Sequence, residues 1–291
     1  MKRTLGENIF IAVNCIFLGA LCVICLYPFI YAVFVSLSDP TELARVDGFM
    51  WKPAGFSLNA YKAILRNRQI VTGYRNTLFI VVVGVSINLF LTTLAAYVLS
   101  RKNLLWRNVL MAMIVVTMYF NGGMIPTYLV VREYGLYDSL WALILPNAMS
   151  AYNMIVMRTY MSTIHESLSE SAKIDGAGHI TILCRIFLPL CAPSVAVMIL
   201  YYGVGHWNSW FSAFIYLSSS TKYPLQLVLR NLLIQGSTLD MMNNVSTGDY
   251  DFVLNTLKQA AVMVSTLPIL CIYPLLQKYF VGGIMIGSVK E

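Results

Sequence analysis

Six long stretches without a charged residue dominate the hydrophobic pattern of the chain. Each contains at least 19 residues, and a helix needs roughly 20 apolar residues to cross the hydrocarbon layer of a membrane. Their apolar residues run nearly continuously instead of alternating with polar ones, which excludes the strands of a membrane barrel. The pattern predicts an all-α integral membrane bundle of six transmembrane helices, at residues 8–38, 76–100, 108–131, 139–157, 186–221 and 259–277.

Composition and residue spacing refine this interpretation. Of 291 residues, 58% are hydrophobic and only 11% charged, against roughly 25% charged in soluble domains, so a soluble fold is excluded. The six cysteines lie almost wholly in apolar surroundings and are expected to pack as small hydrophobes. We divide the chain into a first transmembrane helix with an amphipathic segment (1–75), a transmembrane core (76–280) and a C-terminal tail (281–291).

The segment 158–193, between the fourth and fifth predicted spans, is too long for a simple connector. The patterns T-x-x-E from residue 163 and S-x-x-E from residue 167 are capping boxes and predict a helix that begins near them. The sequence DGAG at 175–178 breaks this helix. A second short helix should follow, with Ile180, Leu183 and Phe187 on one face. We therefore expect a helical elbow on the membrane surface, which serves as a docking surface.

The elbow carries a recognisable motif. ESAKIDGA at 170–177, followed by two prolines at matching spacing, resembles the EAA loop of ABC importer permeases, with Ser171 in place of the usual first alanine. WKP from residue 51, AAY from residue 95 and SLWALILP from residue 139 are similar to the carbohydrate branch related to the maltose permease subunit. YPLLQKYF at 273–280 resembles the YtcP-like group of oligosaccharide and polysaccharide permeases, some of which import alginate or pectin fragments.

This resemblance implies an orientation that charge does not provide. Lys and Arg are tied in the predicted loops, ten on each side, so the positive-inside rule leaves the topology open. The resemblance implies a type I ABC importer permease in the bacterial inner membrane, with the elbow and both termini in the cytoplasm. It implies that Glu170 contacts the ATPase and that Asp175 caps the second helix. The other coupling residues, which allow the bend or a close approach, would be Ser171, Ala172, Gly176, Ala177 and Gly178.

The resemblance also implies partners: a second permease subunit, a dimer of ATP-binding subunits, an extracytoplasmic solute-binding protein and an oligosaccharide. The chain contains no G-x-x-x-x-G-K sequence, so ATP and Mg are expected on the partner ATPase, and this chain needs no cofactor of its own. Membrane lipid, not nucleic acid, should surround it. The alternative function is an ion- or proton-driven secondary carrier, which would need buried carboxylates that the predicted spans lack.

Polar and aromatic residues within or beside the spans are candidates for the sugar path. Such groups suit sugars, but they serve equally well as bonds between helices or as an interfacial belt, and the sequence leaves both open. No second ionisable group accompanies the span histidine, so no catalytic or metal site is expected. The net charge of +7 and the acid-free spans favour an anionic oligosaccharide slightly over a neutral one. The candidates are His206, Trp207, Asn208, Trp210, Asn147, Asn153 and Tyr119.

Overall fold

A computed structural model describes residues 4–46, 48–242 and 248–288, and these are helical almost throughout. The first eight helices are α1 (Leu5–Ser36), α2 (Pro40–Leu43), α3 (Asn59–Arg66), α4 (Arg68–Ser100), α5 (Arg107–Tyr119), α6 (Met124–Glu133), α7 (Trp141–Ile144) and α8 (Ala151–Met161). The others are α9 (Glu166–Ile174), α10 (His179–Ile182), α11 (Leu188–Leu190), α12 (Ala192–Trp207), α13 (Phe211–Tyr216), α14 (Leu225–Met242) and α15 (Gly248–Ser288). The predicted all-α fold is confirmed.

Three of the six charge-free stretches lie in continuous helices that are long and apolar enough to cross a membrane. These helices contain the first, second and sixth stretches. α1 begins in a capping box, in which the Thr4 hydroxyl accepts from the backbone N–H of Glu7 and the Glu7 carboxylate accepts from that of Thr4. α15 continues through 281–288, most of the predicted tail, whose last three residues lie outside the described ones.

The other three stretches are interrupted. α5 and α6 meet at a bend of 108°, and the segment ending in α11 meets α12 at 84°, so up to five spans result if each bent pair counts as one. Gly123 has a φ of +86° at the first bend, a conformation that glycine adopts readily. The fourth stretch is divided into α7, a 3₁₀ turn at Leu145–Asn147 and α8, because Pro146 cannot donate the backbone hydrogen bond that a continuous helix requires.

The chain forms two compact units. Met1–Arg68 with Leu229–Leu267 form the first, and Gln69–Val228 with Pro268–Glu291 form the second. In the first unit, the predicted amphipathic segment is the helix α3, whose Ala60 and Ile64 are buried. The Tyr61 hydroxyl lies 2.7 Å from the Ser36 Oγ and ties α3 to the end of α1.

Two hydrophobic clusters lie among the described residues of the second unit. One is built around Ile80, Leu143 and Leu227. The other is built around Met157, Ile182, Phe187 and Met198 and includes the elbow. Both candidate sites lie in this unit.

A polar anchor holds the loop after α13 in the second unit. The Asp138 carboxylate accepts hydrogen bonds from the backbone N–H groups of Ser218 and Ser219, both at 3.0 Å, and from the Lys222 ammonium at 2.8 Å. The hydrogen bonds from Lys222 and Ser219 hold the pKa of Asp138 well below its ordinary value. The Asn76 amide of α4 donates to the backbone oxygen of Tyr223 at 3.1 Å, so the same loop is also fastened to α4.

Candidate functional site

The elbow has two arms joined at a glycine. The first arm is α9, which ends at Ile174 as the sequence predicts. Gly176 then adopts a φ of +81°, which a residue with a side chain would strain to reach. Gly178 has an ordinary extended backbone, so its conformation does not require glycine. The predicted break therefore falls at Gly176.

The capping predictions for the elbow are wrong. α9 begins at Glu166 after His165, without a side-chain cap. The Thr163 hydroxyl instead donates to the backbone oxygen of Tyr160. Asp175 does not cap the second arm either, because α10 begins after Gly178 with no side-chain hydrogen bond at its cap. The backbone N–H of Asp175 completes the last turn of α9.

The predicted face of the second arm is confirmed only in part. Leu183 and Phe187 are buried, as their spacing predicts, but Ile180 is 77% exposed and Ile182 is buried in its place. The arm continues as a π-helical turn at Leu183–Phe187, which takes more residues per turn than an α-helix.

One side of the elbow packs inward and the other is exposed. Ala172 and Ala177 lie against the cluster around Phe187, so their small size serves packing within this chain. Glu170, Ile174 and Asp175 are exposed, Ile174 by 87%. Two large apolar side chains, Ile174 and Ile180, thus stand in the open on either side of the bend.

Residues at the end of α4 hold the elbow. The Arg101 Nη1 donates to the Ser169 Oγ at 2.8 Å. The Lys102 ammonium lies 3.5 Å from the Glu166 carboxylate. A cavity of about 530 Å³ lies between the end of α4 and the elbow, and Glu170 and Lys173 are among the residues that line it.

A second group of polar residues lies inside the bundle, away from the elbow. The Asn88 Nδ2 donates to the backbone oxygen of Asn147 at 2.6 Å, and the Asn88 Oδ1 lies 2.7 Å from the His206 Nε2. In this arrangement Oδ1 is the acceptor, so Nε2 carries the proton. Asn88 and His206 are both buried. His206 thus forms the bond between helices that the sequence left open as an alternative.

The same histidine lines a polar pocket. The pocket has a volume of about 420 Å³ and is lined by Leu143, Asn147, Met149, Ser150, Asn153, Tyr201, Tyr202, Gly205, His206 and Ser209. Its polar groups are amides, hydroxyls and an imidazole, and no carboxylate is among the lining residues. Three of the predicted candidates, Asn147, Asn153 and His206, therefore come together here.

The other four candidates lie elsewhere. Trp207 is buried against an apolar cavity, and its ring meets Tyr74 edge to face at 6.2 Å. Asn208 is exposed at the end of α12. Trp210 contacts Phe211, and Tyr119 is 80% exposed at the end of α5. None of these four lines the pocket that contains His206.

Sequence reasoning missed several residues of both sites. Asn88, Thr92 and Tyr202 are polar groups within predicted spans, and the Thr92 and Tyr202 hydroxyls lie 2.7 Å apart. Their polarity inside charge-free stretches was the available signal. No role was predicted for Arg101. No group of three His, Cys, Asp or Glu side chains that could hold a metal ion occurs in the part of the chain that the structure describes.

Family comparison agrees with this architecture. The model for the binding-protein-dependent transport system inner membrane component matches residues 88–286. The chain belongs to that family and is a multi-pass permease of an ABC transporter.

Two relatives and one solved structure are similar to this chain over nearly its whole length. Protein LplC of Bacillus subtilis (strain 168) is 40% identical, covering 100% of this chain and 98% of that protein. The polygalacturonan/rhamnogalacturonan transport system permease protein YtcP of the same organism is 41% identical, covering 94% and 96%. A chain from the crystal structure of a bacterial ABC transporter involved in the import of the acidic polysaccharide alginate is 31% identical, with a TM-score of 0.86, covering 96% of this chain and 99% of that one.

Proposed function

We propose that this chain forms half of the membrane pathway of an ATP-driven oligosaccharide importer and that its elbow docks on a separate ATPase subunit. A second permease subunit provides the other half, and an extracytoplasmic binding protein delivers the sugar. The ATPase subunits bind ATP and Mg, since this chain has no G-x-x-x-x-G-K sequence. The elbow and both termini then lie in the cytoplasm.

The exposed side of the elbow is the observation that carries the coupling proposal. Ile174 and Ile180 are 87% and 77% exposed and flank a bend that also presents Glu170. Apolar groups at a charged surface outside the membrane gain free energy when a partner covers them. The Glu170 carboxylate makes no hydrogen bond or ion pair with any residue that the structure describes, so it is available to a basic group of that partner.

The mechanism follows from the way the elbow is attached. ATP binding brings two ATPase subunits together, and the docked elbow moves with its subunit. The bundle then alternates between inward-facing and outward-facing states. Because the elbow packs on α4 and on the helices around Met157 and Met198, its displacement reaches the membrane core directly.

The substrate proposal rests on the pocket beside His206. Amide and hydroxyl groups hydrogen-bond to sugars, and tyrosine rings provide faces for stacking. The lack of a carboxylate among its lining residues avoids repulsion of a uronate. One relative is named for polygalacturonan and rhamnogalacturonan transport, and one similar structure for import of the acidic polysaccharide alginate. We therefore propose a uronate oligosaccharide as the substrate class.

A charge reversal tests the coupling role. Glu170→Lys should abolish uptake and weaken co-purification of the ATPase, because it places like charges across the proposed contact. Glu133→Lys is the matched control, since Glu133 is equally an exposed glutamate but lies at the end of α6. It should transport normally. Normal uptake with an intact complex in the Glu170 variant would mean that the ATPase docks elsewhere.

The substrate class has a separate test. The assembled complex with its binding protein should hydrolyse ATP faster when given oligogalacturonate or oligoalginate than when given maltooligosaccharide, amino acids or phosphate. Stimulation by the neutral sugar alone would remove the uronate proposal. Uptake driven by an ion gradient without the ATPase would favour the secondary carrier.

A further inference from the structure

Arg101 joins α4 to both arms of the elbow. Its guanidinium carbon lies 4.3 Å from the centre of the Tyr97 ring and 4.1 Å from that of Phe187. Tyr97 belongs to α4 and Phe187 to the π turn that follows the bend. The Nη1 donates to Ser169 on α9, which precedes the bend. One side chain thus connects three elements.

The surroundings of Arg101 make these contacts strong. Ser169, Tyr97 and Phe187 are 2%, 5% and 2% exposed, and cation–π contacts gain strength when water is excluded. The Arg101 Nε and Nη2 are buried and have no hydrogen-bond partner in the described part of the chain. The two rings and the single hydrogen bond therefore fix the guanidinium.

The extended guanidinium of arginine makes this arrangement possible. The Tyr97 and Phe187 rings meet edge to face, with centroids 5.3 Å apart and an angle of 83° between their planes, so the guanidinium faces two perpendicular rings while it donates to Ser169. A lysine ammonium is instead a compact, strongly hydrated point charge. Lysine at position 101 would keep the charge and most of the length but lose the extended group that reaches both rings and Ser169 together. Arginine and lysine at position 101 would therefore make different contacts, although they carry the same charge.

The neighbouring ion pair is a weaker connection. Lys102 and Glu166 approach to 3.5 Å, and their side chains are 75% and 38% exposed. Exposed pairs of this kind contribute little to stability. The end of α4 therefore reaches the elbow through the buried Arg101 and through Tyr97, whose ring meets that of Phe187 at 5.3 Å and whose hydroxyl lies 3.3 Å from the His179 Nδ1. Among these connections, Arg101 is the one that reaches both arms, and the Lys102 pair is exposed.

We propose that Arg101 is a positioning residue that makes α4 and both arms of the elbow move as one body, so that ATPase motion reaches α4. The inference rests on the proposed coupling function. Without the guanidinium, the elbow can tilt on its docked subunit while α4 stays behind. ATP hydrolysis then continues, but it drives less transport.

The test uses the complete complex in proteoliposomes, with Arg101→Lys, Arg101→Ala and Ser169→Ala beside the control Lys102→Ala. We expect Arg101→Lys to assemble with the ATPase and keep its basal hydrolysis rate. Oligosaccharide uptake per ATP hydrolysed should fall on the order of tenfold. Arg101→Ala should lose at least as much, and Ser169→Ala less. Lys102→Ala should stay within about twofold of the wild type.

Each outcome of this test either supports or overturns the role proposed for Arg101. Uptake per ATP that stays normal in Arg101→Lys and Arg101→Ala overturns the inference and leaves the proposed function intact. A loss that only follows the amount of assembled complex, at a normal ratio of uptake to hydrolysis, shows a purely structural role and overturns it as well. A wild-type complex without ATP-dependent uptake removes the proposed function and this inference together.

Discussion

Gly84 of α4 packs so closely against His206 of α12 that there is no room for one added carbon atom. A Cβ built there lies 2.7 Å from the His206 Nε2 and 3.0 Å from its Cε1, closer than non-bonded atoms approach. The same His206 Nε2 forms the 2.7 Å hydrogen bond with the buried Asn88. In Gly84→Ala the imidazole must therefore move, and this hydrogen bond breaks.

The expected cost can be worked out from these contacts. Overpacking in a core costs about 1–3 kcal/mol, and leaving a buried polar group unsatisfied costs about 1–3 kcal/mol more. Alanine has a higher helix propensity than glycine, which stabilises the variant by about 1 kcal/mol. The steric and hydrogen-bond costs exceed the gain, so Gly84→Ala should be destabilised by about 1–5 kcal/mol.

The assay compares thermal unfolding of the purified complex with that of a matched control. Gly203 lies on the facing helix α12, and a Cβ there meets only the Val85 Cγ2, at 4.0 Å. Gly203→Ala should therefore unfold at the same temperature as the wild type or higher, and Gly84→Ala several degrees lower. Equal midpoints for the two variants would refute the packing argument around His206.

Two further predictions concern the topology of the chain and the loop that Asp138 holds. In a background without native cysteines, Ser171→Cys on the exposed side of the elbow should be protected from an impermeant thiol reagent in intact cells, and Asn59→Cys should react; the reverse labelling would invert the orientation. Asp138→Asn should lower the free energy of unfolding by about 1–3 kcal/mol at pH 7. Because the folded pKa of Asp138 is lowered, the wild type should lose this advantage as pH falls below about 4; a difference in unfolding midpoint that is independent of pH would contradict this role.

The helical bundle and the break of the elbow after α9 could be predicted because they follow from strong local constraints. The thickness of the hydrocarbon layer sets the length of apolar stretches, and the glycine at 176 marks a backbone conformation that other residues avoid. The interruptions were harder to predict. Pro146 and Gly123 were visible in the sequence, but a count of uncharged residues is insensitive to both.

The contacts of both sites could not be predicted, because they join residues far apart in the chain. Asn88 and His206 are separated by 118 positions, and Arg101 and Ser169 by 68. No regular spacing in the sequence marks these residues as partners. The capping patterns failed although they are local: α9 begins after His165 without a side-chain cap, and the Thr163 hydroxyl donates to the backbone oxygen of Tyr160 in the preceding turn.

The interruption between α5 and α6 bears on what must surround this chain in a membrane. Residues 120–123 have no regular secondary structure, and they lie midway along an uncharged stretch of 24 residues. Irregular backbone at membrane depth is tolerated only beside protein or water, yet Tyr119 and Phe120 are 80% and 78% exposed. We therefore expect this segment to face another polypeptide or a water-filled space and not the lipid chains.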